Sequence, residues 1–316
     1  MCAIAQPSQS VTLTAGDCRA VISPRGGGPQ HLSVGGRDLL QGYGGAGEPG
    51  PAPLSANVVL APWPNRTRDG EFTVAGRRYN LEINEPDRSN AIHGFVDDAV
   101  WTVSSSGEDA VTLTIDPGTR PGWPWPLHLE VAYRAAVDGL SAEFLLRNDS
   151  PERIPAACGF HLYPSAFGAP VDECTLAAPG HSVLPLDDRN LPVGEEVDDT
   201  QDAGQAAVLS EPETPMAGRL LDHCLHVPGT GPVAFTLRDA TGRGVLLETS
   251  PELRWFQVFT PDEAWGMPYP GQPGGRAVAV EPMTAPPDAM NSGTDLTWLA
   301  PGESRTCRWA VRVLDG

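Results

Sequence analysis

Arg66, His93, His161 and Glu281 are the side chains of this sequence best suited to holding hydroxyl groups and moving protons. A guanidinium offers a fixed fork of donors, an imidazole changes protonation near neutral pH, and a desolvated carboxylate can act as a base. The segment Ala61-Pro-Trp-Pro-Asn-Arg66-Thr-Arg-Asp-Gly70 is followed by Asn90-Ala-Ile-His93-Gly-Phe95. Between them Glu71-Phe-Thr-Val-Ala-Gly-Arg-Arg-Tyr-Asn-Leu alternates and breaks at Ala75-Gly76, which predicts a hairpin bringing Arg66 and His93 together. A cation and an imidazole converging on one cleft suit a neutral, hydroxyl-rich ligand or a carboxylate.

His161 lies in Gly159-Phe-His-Leu-Tyr-Pro164, after the strand-like Arg153-Ile-Pro-Ala-Ala-Cys158, so its ring can project from a strand end into a cleft. A histidine satisfied by one hydrogen bond in the core or at the surface is the competing reading. Glu281 ends the apolar strand Ala277-Val-Ala-Val280, in register with Ala277 and Ala279, which leaves room for a ligand and strips water from the acid. Desolvation raises a carboxyl pKa, as a general base requires; an edge carboxylate in solvent is the alternative. Asp222 could accept from ligand hydroxyls or be a loop acid. His31, His128, His181, His223 and His226 have no partner pattern and no role is assigned to them. His93, His161 and Glu281 are metal-ligating types, but no pair such as H-x-x-x-H supports a metal, and none is expected. Trp63 and Trp255 lie beside candidate cleft residues, where an indole face could stack on a sugar; core packing is the other reading, preferred for Trp101, Trp298 and Trp309. A G-x-S-x-G elbow, a P-loop and a dinucleotide-binding glycine pattern are all missing, which counts against esterase, kinase and dehydrogenase readings.

These groups need a scaffold, and the chain of 316 residues supplies strands. Apolar residues make up 40% and charged residues 19%, enough for a sizeable core. Val111–Ile115, Leu127–Tyr133, Leu140–Leu146, Val233–Leu237, Gly244–Glu248, Arg276–Glu281 and Thr306–Val313 read as strands at short spacing, with turns at Val137-Asp-Gly and Asp239-Ala-Thr-Gly242. No segment holds a helical period for three turns, so the fold class is all-β, an antiparallel sandwich spanning 1–316 as a single domain. The acidic stretch 187–215 is read as a long surface loop. A net charge of −19 argues against nucleic acid and anionic membranes as partners and disfavours a phosphorylated substrate unless a basic patch offsets the field. Six scattered cysteines without a C-x-x-C pair read as reduced and mostly buried. With no signal peptide or membrane span evident, the expected location is cytoplasmic.

In this order, Pro64-Asn-Arg66-x-Arg-Asp-Gly70, Asn84-Glu-Pro86, Asn90-Ala-Ile-His-Gly94, Gly159-Phe-His161-x-Tyr163, Leu221-Asp-His223 and Glu281-Pro-Met-Thr-x-Pro-Pro-Asp-Ala-Met-Asn291 resemble the aldose 1-epimerase (galactose mutarotase) family. Leu162 departs from the proline that often follows the family's acid histidine. The resemblance implies a galactose mutarotase-like β-supersandwich whose cleft binds a monosaccharide, with no cofactor or metal. It implies that Glu281 is the catalytic base and His161 the acid, and that Arg66, Asn65, His93, Asp222 and Gln257 bind the sugar. The implied reaction interconverts the α and β anomers of a free aldohexose such as glucose or galactose. One proton leaves the C1 hydroxyl, one reaches the ring oxygen, and the opened sugar recloses on the other face. His161 is then expected to be an imidazolium while Glu281 is ionised, giving a bell-shaped rate profile. A hexose-6-phosphate mutarotase, using Arg68, Arg77, Arg78 or Arg88 at the rim, and a sugar-binding module without catalysis are the alternatives.

Overall fold

Leu127–Ala136 and Gly139–Asn148 show why this chain is almost entirely strand. Every second residue of the first is buried (Leu127, Leu129, Val131, Tyr133, Ala135) while its neighbours face outward, the period of two that a pleated strand requires. The two strands pair along their whole length, from Leu127 opposite Asn148 to Ala136 opposite Gly139. The computed structural model describes residues 9–44, 50–199, 209 and 213–315. Among these the α-helix is confined to Ala289–Ser292, and no helix is long and apolar enough to cross a membrane.

A nine-stranded antiparallel sheet runs in the order Thr102–Ser106, Ala110–Ile115, Leu127–Ala136, Gly139–Asn148, Ser304–Leu314, Gly244–Thr249, Val233–Arg238, Thr175–Ala177, Thr214–Pro215. A seven-stranded antiparallel sheet faces it, in the order Val197–Asp198, Ser182–Leu184, Asp222–His226, Trp255–Phe259, Ala279–Met283, Gly159–Phe160, Val59–Leu60. The sheets meet through aromatic rings. Phe144 and Trp309 of the larger sheet pack edge-on against Phe160, and Phe235 packs 4.7 Å from Phe256. Burying each such side chain stabilises the fold by roughly 1.5–3 kcal/mol. A four-stranded sheet of the N-terminal residues, Val11 to Asp38, lies against the same core, and the Tyr133 hydroxyl donates to Gly27 O across that junction.

The strand positions read from the sequence agree with this architecture, with two displacements. The strand expected over 276–281 runs from Ala279 to Met283, because the Arg276 guanidinium is drawn aside by Asp172 and Asp262 and by the carbonyls of Met216 and Arg219. The stretch 187–215 is not one loop. Val197–Asp198 pairs with Ser182–Leu184, Thr214–Pro215 pairs with Thr175–Ala177, and Leu186 bridges Pro192. The remainder of that expectation, residues 200–208 and 210–212, lies outside the described residues. Two-residue strands at a sheet edge carry little hydrophobic signal, which is why composition alone reads as loop.

Candidate active site

Strand register builds one side of a cleft. Gln257 stands directly opposite Glu281 in the pairing of Trp255–Phe259 with Ala279–Met283, and Cys224 stands opposite Gln257 in the next pairing. Asp222, two residues before Cys224, therefore shares their face. His161 follows Gly159–Phe160, which pairs on the far side of the Glu281 strand; Leu162 bridges Val280 there. Three regular ladders thus deliver Asp222, Gln257, Glu281 and His161 to one place.

The other side is irregular. Arg66–Arg68 pairs with Asn90–Ile92, and the hairpin Glu71–Val74/Arg77–Asn80 that joins them turns at Ala75 and Gly76, both at positive φ. Asn65 and His93 flank this small sheet at φ 53° and 64°, a left-handed conformation that non-glycine residues adopt at a cost of about 1–3 kcal/mol. Mutual hydrogen bonds hold them: the His93 N–H donates to Asn65 O at 2.9 Å, and the Asn65 N–H donates to His93 Nδ1 at 3.2 Å. Gly94 follows at φ 76°, and a Cβ there would fall 1.9 Å from Ala61 O, so no other residue fits.

The cleft between the two sides has a volume of about 240 Å³. That is below the roughly 300–1,000 Å³ of drug-sized pockets and suits a small ligand. Every site residue singled out in the sequence (Asn65, Arg66, His93, His161, Asp222, Gln257, Glu281) lines it. Glu281 Oε1 lies 3.3 Å from His161 Nε2, and the His93 and His161 rings meet edge-on at 5.4 Å. A chain of hydrogen bonds links the two sides. Asn65 Nδ2 donates to Gln257 Oε1 at 3.2 Å, Gln257 Nε2 donates to Asp222 Oδ1 at 2.6 Å, and Asn190 Nδ2 donates to Asp222 Oδ2. Arg66 grips Glu85 with Nε and Nη2 at 2.9 and 2.8 Å, leaving Nη1 for the cleft apart from a long contact of 3.4 Å to Asn65 Oδ1.

Electrostatics set the protonation of this group. Burial raises the Glu281 carboxyl well above its usual range, the nearby Asp222 adds to the effect, and Arg66 opposes it. Burial pushes the His161 imidazole down to about 3, and the Arg66 cation pushes the same way. His93 is lowered by burial, by His161 and by Arg66. Burial works against the Arg66 charge, but the carboxylates around it, Glu85 foremost and then Asp222 and Glu281, together more than offset it, and Arg66 in turn holds Glu85 below the usual range. Burial thus works against the expected imidazolium beside an ionised Glu281. With only protein groups around it, the buried pair favours the neutral acid and the neutral ring. The two descriptions contain the same number of protons and differ by one transfer across 3.3 Å.

The ligand atoms of His93, His161 and Glu281 all lie within 4.8 Å of one another. The Arg66 cation lowers the pKa of both rings and so works against a further positive charge beside them. Two further expectations change. Trp63 and Trp255 do not line the cleft. Trp63 packs with Phe95 and Trp123, and Trp255 stacks on His226 while its Nε1–H donates to Asp295. Ala277 and Ala279 make room for Tyr163, Tyr269 and Phe259 rather than for a ligand. The apolar walls are Leu54, Ile92, Phe259 and Met267. Glu85 and Asn190 carry site geometry that residue type and spacing did not reveal; Glu85 was visible only as part of Asn84-Glu-Pro86.

Comparison with known proteins decides the lineage. A family model described as aldose 1-epimerase matches residues 9–312. The chain belongs to the aldose 1-epimerase family. It is an isomerase by that membership. An uncharacterized protein of Escherichia coli K12, YihR, is 30% identical to this epimerase-family chain over 298 residues, covering 93% of it and 90% of the relative. Human galactose mutarotase is 27% identical over 144 residues, 44% of this chain and 41% of that protein. Among solved structures, a GalM/aldose epimerase homologue from C. elegans has a TM-score of 0.81 at 17% identity, covering 96% of this chain and 98% of its own. A galactose mutarotase-like protein from Clostridium acetobutylicum has a TM-score of 0.80 at 20% identity, covering 97% and 95%. At those identities the likeness shows the fold, and the galactose mutarotase-like β-supersandwich is the fold of this chain.

Proposed function

We propose that the protein, acting as one epimerase unit, interconverts the α and β anomers of a free aldohexose, with Glu281 as base and His161 as acid. The carrying observation is the Glu281–His161 contact of 3.3 Å, both groups buried, at a cleft lined by hydrogen-bonding side chains. Glu281 Oε2 and His161 Nδ1 are buried and have no hydrogen-bond partner. Leaving such a group unsatisfied costs about 1–3 kcal/mol, which a donor from the sugar would relieve at the carboxyl oxygen. The sugar's hydroxyls also supply the dipoles that favour the ionised form of the pair. Glu281 then takes the C1 hydroxyl proton while the imidazolium of His161 donates to the ring oxygen. The aldehyde forms, the C1–C2 bond rotates, and reclosure returns both protons with roles reversed. Each placed transfer is worth roughly 10²–10⁴-fold. Arg66 Nη1, His93, Asp222, Gln257 and Asn65 hold the remaining hydroxyls, and no metal or cofactor enters the reaction.

A second reading rests on one side chain. Of the four arginines considered at the rim, Arg88 lines the cleft, its Nη1 donating to Glu85 at 3.3 Å, whereas Arg68 is paired with Asp288. A 6-phosphorylated hexose could use it. Polarimetry on freshly dissolved α-anomers of glucose, galactose, xylose, arabinose and glucose 6-phosphate tests both. Acceleration with a neutral hexose supports the first reading, and acceleration confined to the phosphate supports the second. Binding with the rate of optical-rotation change left at the buffer value would make this a sugar-binding module and end both.

A further inference from the structure

Cys158 and Cys307 lie 149 positions apart in the chain, yet their sulfurs are 3.6 Å from each other. Cys158 immediately precedes Gly159–Phe160 of the seven-stranded sheet, and Cys307 is within Ser304–Leu314 of the nine-stranded sheet. The contact therefore spans the two layers. The other described thiols are placed differently: Cys18 donates to Gly139 O and Cys174 to Pro170 O, while Cys224 is buried beside Trp255 and Met283. Both sulfur-bearing residues of the pair line a cavity of about 490 Å³, separate from the sugar cleft, whose rim carries Arg254, Arg305 and Asp295. A small polar oxidant has a route to sulfurs that burial would otherwise protect.

We propose that Cys158 and Cys307 are an oxidation site, at which a peroxide joins the two sheets through a disulfide. Cys158 is the more exposed of the two, and the Cys307 thiol is held protonated by its contact with Cys158 and by burial, so Cys158 reacts first. Its thiolate attacks one peroxide oxygen; the O–O bond breaks, a sulfenic acid forms on Cys158, and the second oxygen leaves as water after protonation. The Cys307 sulfur then displaces the sulfenic hydroxyl, which leaves as water with the Cys307 proton. Two thiols and one peroxide become one disulfide and two waters. The sulfurs must close by about 1.5 Å to reach the bond length of about 2.05 Å. In a reducing compartment such a bond forms transiently and reports oxidant.

The test uses the full chain, titrated with hydrogen peroxide and digested without reductant. Mass spectrometry is expected to find the Cys158 peptide joined to the Cys307 peptide, with the intact protein lighter by two hydrogen atoms and restored by dithiothreitol. Cys307→Ser is expected to accumulate sulfenic acid on Cys158, trapped by dimedone, and Cys158→Ser to leave Cys307 unmodified at the same dose. Cross-links that form only through other cysteines, or a Cys307→Ser protein with no dimedone adduct on Cys158, would overturn the proposal. The wild-type peptide map decides between these outcomes even if a variant folds poorly.

Discussion

The two sides of the cleft reach the same end by opposite means. On the sheet side, Asp222, Gln257 and Glu281 share a face because three paired strands are in register, and no backbone strain is involved. On the hairpin side, Asn65 and His93 adopt left-handed conformations, and Arg66 is aimed by a bidentate grip on Glu85. Regular pairing positions side chains cheaply but offers few directions, because every second residue must point the same way. Irregular backbone can aim a ring or a guanidinium anywhere, but only where hydrogen bonds over-determine it. The difference teaches that the two groups of the proposed proton transfer, Glu281 and His161, sit on or beside the ladder with Asp222 and Gln257, while the strained hairpin side contributes only groups proposed to hold the ligand, Asn65, Arg66 and His93.

Substitutions can break or sharpen that division. The largest effect is expected from Glu281→Gln. Turnover should fall by about 10³-fold or more while sugar binding persists and the melting temperature holds or rises, since a buried carboxyl with an unsatisfied oxygen is replaced by a neutral amide. Polarimetry with calorimetry checks this, and a variant as active as the parent would move the base elsewhere. Asn65→Ala should cut kcat/KM by about 10–100-fold and also destabilise the protein by about 1–2 kcal/mol. It removes the link to Gln257 and leaves a Cβ residue at φ 53° without its side-chain bonds. Asn65→Gly should recover the stability but not the kcat/KM, which separates aiming from strain. The pH profile comes next. The raised Glu281 and lowered His161 imply that the pair keeps its single proton over a wide range. The acid limb should lie below the ordinary histidine value of about 6.5, and the alkaline limb above the ordinary carboxylate value of about 4.3. An acid limb at 6.5 or above would mean that His161 is solvated during turnover. The smallest effect is expected from Asn190→Ala, a fewfold rise in KM with kcat unchanged, because Asn190 touches the site only through Asp222.

What the sequence disclosed follows the same division. Alternation is a local signal, so the ladders and the Ala75-Gly76 hairpin were readable from short windows, and Glu281 and His161 stood out at strand ends. The family resemblance supplied Gln257, whereas Asp222 was already a candidate with a loop acid as its alternative; the partnership of the two depends on register between strands 35 positions apart in the chain. Three things could not be read. The Glu85 carboxylate is chemically ordinary, and its role depends on Arg66 folding over it. Asn190 reaches Asp222 from an acidic stretch whose composition suggested solvent alone. The indoles of Trp63 and Trp255 carry no mark of the face they will take, and both went to packing. The protonation of the central pair also depends on total burial, which spacing does not encode.

The ladder beneath Gln257 and Glu281 has one further consequence. Its strands have partners on both edges, so a shift there would propagate into Asp222–His226 on one flank and Gly159–Phe160 on the other. The short segments that carry Ser55, Arg88 and Met267 at the cleft lie outside the paired strands of that ladder. Relatives that accept new sugars should therefore differ along that collar and keep the floor, so that substrate preference can drift while the reaction itself stays fixed.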